Sequence, residues 1–467
     1  MTSLRNSLRP VNRLPPDIIT TCASFVSDAD PRPIVSLTHV CRYWRRSITS
    51  NPRSWAWIST GWKRLAPLCF ERAGTVPLTV DITVSDIKSG ENLLESLLPQ
   101  ISRICCLRLT GYSSIEAVVD DLPGFFDSSM PNLTSLELQQ TMEPTTLFPS
   151  SEAPQPPVFR NVERLESLSL TRTPLYPALL SITSLKELKL LKYTTPFHFG
   201  TLLELLDSNP SIERVVLDIQ FIADSVETAP ARATSLPRLR HLSITCSEAI
   251  DAKGLLSCIS LPQGTRLEVS CSQWTPLGSC LPSPPTPIQK VLVPAAAVRF
   301  KAAPWEIHAF GRNGSFSFRC PQLRSIGEEF HLFLSASVRE LHVNIAPWLL
   351  TPAFSTSMLT QLPGLEILVV ADANSWATGT FDSLAGQPPL CPSLKTIAFF
   401  DCGFTPEAMR ELGGVAAKRK GTAAAWLYRV VIVNSTGALP HYTFLQQLQQ
   451  HVPCVDVRVS DKLPDLS

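Results

Sequence analysis

The chain has 467 residues, 44% of them apolar and only 17% charged, which excludes an intrinsically disordered protein and exceeds what one ordinary core can bury. Forty-one basic residues against 40 acidic ones leave a formal charge of +1, too small a field to steer the chain onto nucleic acid or an anionic membrane. No apolar run reaches the length of a membrane span, so neither a nucleic-acid nor a membrane partner is predicted. The thirteen cysteines are scattered without a Cys-x-x-Cys pair, and the adjacent Cys105-Cys106 pair has poor zinc-ligand spacing. They read as free thiols of a reducing compartment, cytoplasm or nucleus.

Residues 1–13 lack the apolar core of a signal peptide and read as a flexible tail. Leu14-Pro15-Pro16-Asp17-Ile18-Ile19 then reads as a helix start: proline suits the first turn, and Asp17 suits the positive end of the dipole. Ile18, Ile19, Cys22, Phe25 and Val26 follow at helical spacing. After the break at 28–33, a second helix is predicted, with Ile34, Leu37, Val40, Cys41, Trp44 and Ile48 on one stripe and His39 inside it. Asn51-Pro52 ends it, because the residue before proline avoids the helical region.

These residues carry a resemblance. Leu14-Pro15-x-Asp17-Ile18-Ile19, Val40-Cys41-Arg42-x-Trp44-Arg45 and Asn51-Pro52-x-x-Trp55 resemble, in order and spacing, the F-box pattern over residues 14–60. The resemblance implies a small all-α module that docks a Skp-type adaptor and, through it, a cullin-RING ubiquitin ligase. Matched position by position, Leu14, Pro15, Ile18, Ile19, Val40, Cys41 and Trp44 would form the contact. Cys22 and Ala23 depart from the family, which usually has larger apolar residues there; a vestigial F-box on a non-ligase interaction scaffold is therefore the alternative.

Gly61 to Ala73 reads as a bridging helix closed by Gly74, with Val76–Ile82 as the first strand. Helix, glycine and a Pro-Leu-x-Val strand resemble the bridge in the large F-box-like families of mushroom-forming fungi. Beyond it an apolar-x-x-apolar-x-apolar template recurs. Early copies are Leu133/Leu136/Leu138, Leu165/Leu168/Leu170, Leu185/Leu188/Leu190, Ile212/Val215/Leu217 and Leu239/Leu242/Ile244. Later copies are Ile288/Val291/Val293, Val338/Leu341/Val343, Leu365/Leu368/Val370, Leu394/Ile397/Phe399 and Leu427/Val430/Ile432. Weaker copies lie at Ile104/Leu107/Leu109, Leu267/Val269, Phe316/Phe318 and Val452/Val455/Val457. The fold class predicted is α/β, an irregular leucine-rich-repeat-like horseshoe solenoid over 61–467, preceded by the small helical module.

Helical returns are predicted at 201–207 and 406–412, and Lys418-Arg419-Lys420 reads as a solvated loop. Residues between the core positions of each strand face the other side of the sheet. They are polar early (Ser135, Glu137, Gln139, Ser167, Ser169, Glu187, Lys189) and apolar late (Ile367, Val369, Ala371, Ala398, Phe400, Val431, Val433). Two expectations follow. Either Ile367, Val369, Phe400 and Val431 hold a protein target, or the late face is covered and becomes core. No phosphate loop, dinucleotide fingerprint, His-Glu-x-x-His or nucleophile elbow occurs, so neither an enzyme nor a cofactor is predicted.

Overall fold

The computed structural model describes residues 14–27, 32–62, 64–83, 96–111, 125, 128–141, 162–175, 177–193, 199–219, 233–272, 277–282, 295–301, 305–311, 314–320, 337–344, 352–371, 384, 386, 389–403, 406–420, 426–434 and 442–459. The chain divides into two compact units, residues 1–195 with 204–212, and residues 196–203 with 213–467.

The first unit opens with three helices, α1 (Pro16–Ser27), α2 (Arg32–Thr38) and α3 (Arg42–Thr49). The single second helix expected from the stripe is thus two. His39 and Val40 lie in a turn, and extended Cys41 (φ −160°) is the N-cap of α3, its sulfur accepting from Trp44 N at 3.5 Å. Apolar spacing alone does not reveal such a break, because α2 and α3 both face the same core.

Strand β1 (Trp57–Ser59), helix α4 (Ala66–Ala73) and strand β2 (Leu78–Thr83) follow. The bridging helix is therefore shorter than predicted, and β1, not β2, is the first strand. Gly74, at φ 55°, closes α4 in a conformation that favours glycine. Strands β3 (Ile104–Gly111), β4 (Ser135–Gln140), β5 (Ser167–Thr171) and β6 (Glu187–Tyr193) complete the unit.

All six strands pair in chain order and in parallel. The template residues form two registered ladders, Val80–Leu107–Leu136–Leu168–Leu188 and Ile82–Leu109–Leu138–Leu170–Leu190. Every member is at most 1% exposed. Each buried leucine contributes roughly 1.5–3 kcal/mol, so the ladders are the dominant stabilising feature of the sheet. Beside them Asn209, fully buried, donates to the carbonyls of Ile182 (2.6 Å) and Leu205 (2.8 Å) and accepts from Leu185 N (2.9 Å).

In the second unit the strands are β7 (Arg214–Ile219), β8 (His241–Cys246), β9 (Arg266–Cys271), β10 (Ala295–Lys301), β11 (Trp305–Gly311) and β12 (Gly314–Cys320). They continue as β13 (Glu340–Asn344), β14 (Ile367–Ala371), β15 (Thr396–Phe400), β16 (Arg429–Val433) and β17 (Cys454–Arg458). Spatial order is 7-8-9-12-11-10-13-14-15-16-17, parallel except for the two antiparallel pairings of β11.

The reversed meander β10–β11–β12 was not anticipated; β11, antiparallel to both neighbours, lacks the template, while β12 carries the degenerate copy Phe316/Phe318. The copy Ile288/Val291/Val293 lies outside the described residues, and β10 holds the place beside β13. Gly314 (φ 135°) begins β12, and a Cβ there would meet the Thr265 carbonyl oxygen at 2.5 Å. Helix α5 (Phe199–Asp207) matches the predicted return, and α6 (Ala249–Cys258), α7 (Pro352–Thr360), α8 (Pro406–Lys420) and α9 (Tyr442–Gln449) follow. Helix α8 runs through Lys418-Arg419-Lys420, so that segment is no loop, and Arg419 is 1% exposed.

Candidate functional site

The N-terminal helices are built around Ile19, Ala23, Ile34 and Ile48, each at most 2% exposed. Helices α1, α2 and α3 each pack on the other two. The small Ala23 lets α1 approach its neighbours, while Cys22 on the same helix is exposed. Thr20 and Thr21 hydroxyls donate to the Asp17 carbonyl, at 2.9 and 2.8 Å, in the first turns of α1. Across the break, Arg45 Nε donates to Thr38 O at 2.9 Å, which satisfies the end of α2. Trp55 is 4% exposed; its indole N–H donates to Ile48 O at 3.1 Å, and Arg72 of α4 stacks 4.3 Å over its ring. The third anchor of the motif thus locks the helices onto the start of the sheet.

The predicted contact residues separate by burial. Ile19 is fully buried and belongs to the core, so it supports the surface from beneath. Pro15 is exposed, as are Ile18 (42%) and Val40 (51%). Leu14, Cys41 and Trp44 are half-buried. Tyr43, 37% exposed, joins them, and its hydroxyl donates to Leu14 O at 2.8 Å, tying α3 to the start of α1. Tyr43 occupies the unspecified position of the Val40-Cys41-Arg42-x-Trp44 motif, so nothing in the sequence singles it out. Among the described residues the indole N–H of Trp44 has no partner although it is buried. The outcome is exposed large apolar side chains at Ile18, Val40 and Tyr43, and a buried indole N–H at Trp44 without a partner among the described residues.

The late-strand residues behave differently. Val369 (1%), Ala398 (1%), Val431 (0%) and Val433 (2%) form a buried cluster, against which Ile367 and Phe400 pack partly buried. Strands β14 and β16 are buried on both faces, as their continuous apolar runs Ile-Leu-Val-Val-Ala and Val-Val-Ile-Val imply. Val369 and Val431 therefore present no open surface, and only Ile367 and Phe400 keep some.

The remaining strand faces are polar. In the first unit Asp81, Arg108, Glu137, Ser169 and Lys189 form one registered row across β2 to β6. Arg108 reaches Glu137 at 2.7 Å and Asp81 at 3.9 Å. Burial raises the Asp81 carboxyl above its usual range, with Arg108 opposing. In the second unit Glu306 lies 3.9 Å from Lys301, 3.7 Å from His308 and 3.5 Å from Arg319, while Arg299 stacks over the exposed Phe310. Among the described residues no cluster of His, Cys, Asp or Glu is arranged to hold a metal ion, and no helix is long and apolar enough to cross a membrane.

No known family model and no curated protein matches this chain. The N-terminal motif residues, with the surface they form, are therefore what a functional reading rests on.

Proposed function

We propose that the chain is a substrate-receptor subunit of a Skp-cullin-F-box ubiquitin ligase, its three N-terminal helices docking a Skp-type adaptor and its repeat-like sheet region holding a protein target. The observation that carries this reading is the exposure of Ile18, Val40 and Tyr43 beside Pro15, Leu14, Cys41 and Trp44, on helices whose core is already filled. Apolar groups of this size left in water mark a partner surface. The action is positional: holding a target near a charged conjugating enzyme raises the effective concentration of its lysines, and the chain supplies no catalytic group. Of the residues predicted to hold the target, Ile367 and Phe400 keep exposed surface and would act at the rim of the buried cluster.

A second reading, a non-ligase scaffold with a vestigial F-box, draws on the small residues Cys22 and Ala23 in α1. A pull-down separates the two. Immobilised chain is expected to retain a purified Skp-type adaptor, and a Pro15→Ala/Trp44→Ala double variant to release it. A folded wild-type chain that retains none favours the scaffold.

A further inference from the structure

Where β3 joins β2, the ladder carries an irregularity that sets two thiols side by side. Leu78 pairs with Ile104, but Thr79 pairs with Cys106, so Cys105 is the extra residue of a β-bulge. A regular strand sends consecutive side chains to opposite faces, and a bulge re-aims one of them. Ile104 and Leu107 are buried (0% and 1%), whereas both cysteines between them are half-buried and reach solvent. Cys105 Sγ donates to Cys106 Sγ across 3.9 Å and also approaches the Leu78 carbonyl at 3.3 Å. Thr79 and Ser135 flank Cys106 in register on β2 and β4, and Arg108 lies two residues along the same face of β3.

The Cys105 hydrogen bond holds the Cys106 thiol below its ordinary pKa, against the opposing effect of burial. Thr79, Thr134 and Arg108 act in the same direction. Cys105 is raised in turn, chiefly by the hydrogen bond with Cys106 and by burial. The pair thus joins one activated sulfur to one protonated sulfur on an accessible sheet face, the microenvironment in which cysteines react.

We propose that Cys105 and Cys106 form a chelating dithiol site for a soft thiophilic centre that takes two sulfur ligands, with trivalent organoarsenicals as the class that fits. Two sulfur bonds of about 2.3 Å, the length typical of metal thiolates, span 3.9 Å at an angle of about 115°, so a pyramidal trivalent centre bridges the pair once the two thiols rotate slightly together. Among the described residues no third His, Cys, Asp or Glu completes a metal site here, which disfavours zinc. With an arsonous acid, R–As(OH)2, two As–O bonds break and two As–S bonds form. The two thiol protons leave with the two hydroxides as water, and arsenic stays trivalent. The other close sulfurs, Cys246, Cys271 and Cys280, lie 3.7 and 3.5 Å apart but are at most 3% exposed, so the ligand would not reach them without unfolding.

The full-length chain is incubated with phenylarsine oxide and an excess of monothiol, which strips single-cysteine adducts. It is then pulsed with iodoacetamide, and each cysteine peptide is quantified by mass spectrometry. The expected result is at least tenfold slower alkylation at both Cys105 and Cys106, reversed by a small dithiol. Cys22, exposed and lacking a neighbouring thiol, should be unprotected. Cys105→Ser should lose the retained arsenical while its thermal transition stays at the wild-type temperature, which shows that the fold is in place. Equal alkylation of Cys105 and Cys106 with and without arsenical overturns the proposal. So does arsenical that stays on a Cys105→Ser/Cys106→Ser chain.

Discussion

Arg419 is the penultimate residue of α8, and its guanidinium donates to the carbonyls of Leu384, Leu390, Cys391, Pro392 and Leu394 at 3.0 to 3.4 Å. Burial lowers its pKa, yet an arginine stays charged, so these carbonyls solvate a cation that water does not reach. Lysine offers a compact ammonium in place of a planar fork and cannot serve five oxygens. Arg419→Lys is expected to destabilise the surrounding segment by about 2–4 kcal/mol. The check is amide hydrogen exchange, with α8 exchanging faster and the strands of the first unit unchanged. Nothing in Lys418-Arg419-Lys420 announces this, because three adjacent cations read as solvent-facing and only the helical phase sends the middle one inward.

Asp251, in the first turn of α6, titrates where its effect is measurable. Burial, then the charge of Glu248, raises its carboxyl from 3.8 to about 6. The folded value lies above the unfolded one, so the stabilisation from its proton is complete below 3.8 and is lost as pH rises through about 6. Asp251→Asn, which mimics the protonated acid, should therefore melt at a higher temperature than wild type at pH 7.5. The two should converge near pH 4, where the wild-type acid is itself protonated. A higher wild-type melting temperature at pH 7.5 would show that the carboxylate is stabilised there instead.

At the scale of elements, the strands were legible wherever leucine-rich spacing met a parallel ladder. Leu136/Leu138, Leu168/Leu170 and Leu188/Leu190 all lie in one registered stack, and the degenerate pairs Leu267/Val269 and Phe316/Phe318 are strands as well. What escaped had no periodic signature. Strand β1 is three residues long, and its hydrogen bonds come from pairing with β2, not from any pattern of its own. The break between α2 and α3 is hidden because one apolar stripe serves both. The meander depends on two antiparallel pairings, and Gly314 begins the strand that makes the second.

Gly314→Ala would place a methyl 2.5 Å from the Thr265 oxygen while keeping a φ of 135° that L-residues rarely adopt. A loss of about 2–4 kcal/mol is expected, read as an earlier thermal transition with faster exchange in β9 and β12. The candidate site was legible to a similar degree. The motif spacing named Pro15, Ile18 and Val40, which are exposed, but burial placed Ile19 in the core, and Tyr43 emerged only from its bond to Leu14.

At the scale of the molecule, each unit carries a largely parallel sheet whose apolar ladders form the core, with a second face of its own chemistry. In the first unit that face is an ion-paired polar row; in the second it passes from charged and aromatic groups on β10–β12 to a buried apolar cluster on β14–β16. Val431→Asp, which would place a charge at a site with 0% exposure, should abolish soluble expression of the folded second unit. Phe400→Asp, at the rim, should leave the fold intact, read as an unchanged thermal transition, and on the proposed function would weaken capture of a protein target.

The proposed docking surface can be tested directly. Purified chain would be titrated calorimetrically with a purified Skp-type adaptor, beside an Ile18→Glu/Val40→Glu variant whose two altered side chains already face solvent. Saturable one-to-one binding by wild type, weakened at least about tenfold in the variant (about 1.4 kcal/mol or more) with unchanged melting, is the expected result. Absence of binding by folded wild-type chain, or equal binding by both, would contradict the assignment of these helices as an adaptor-docking module.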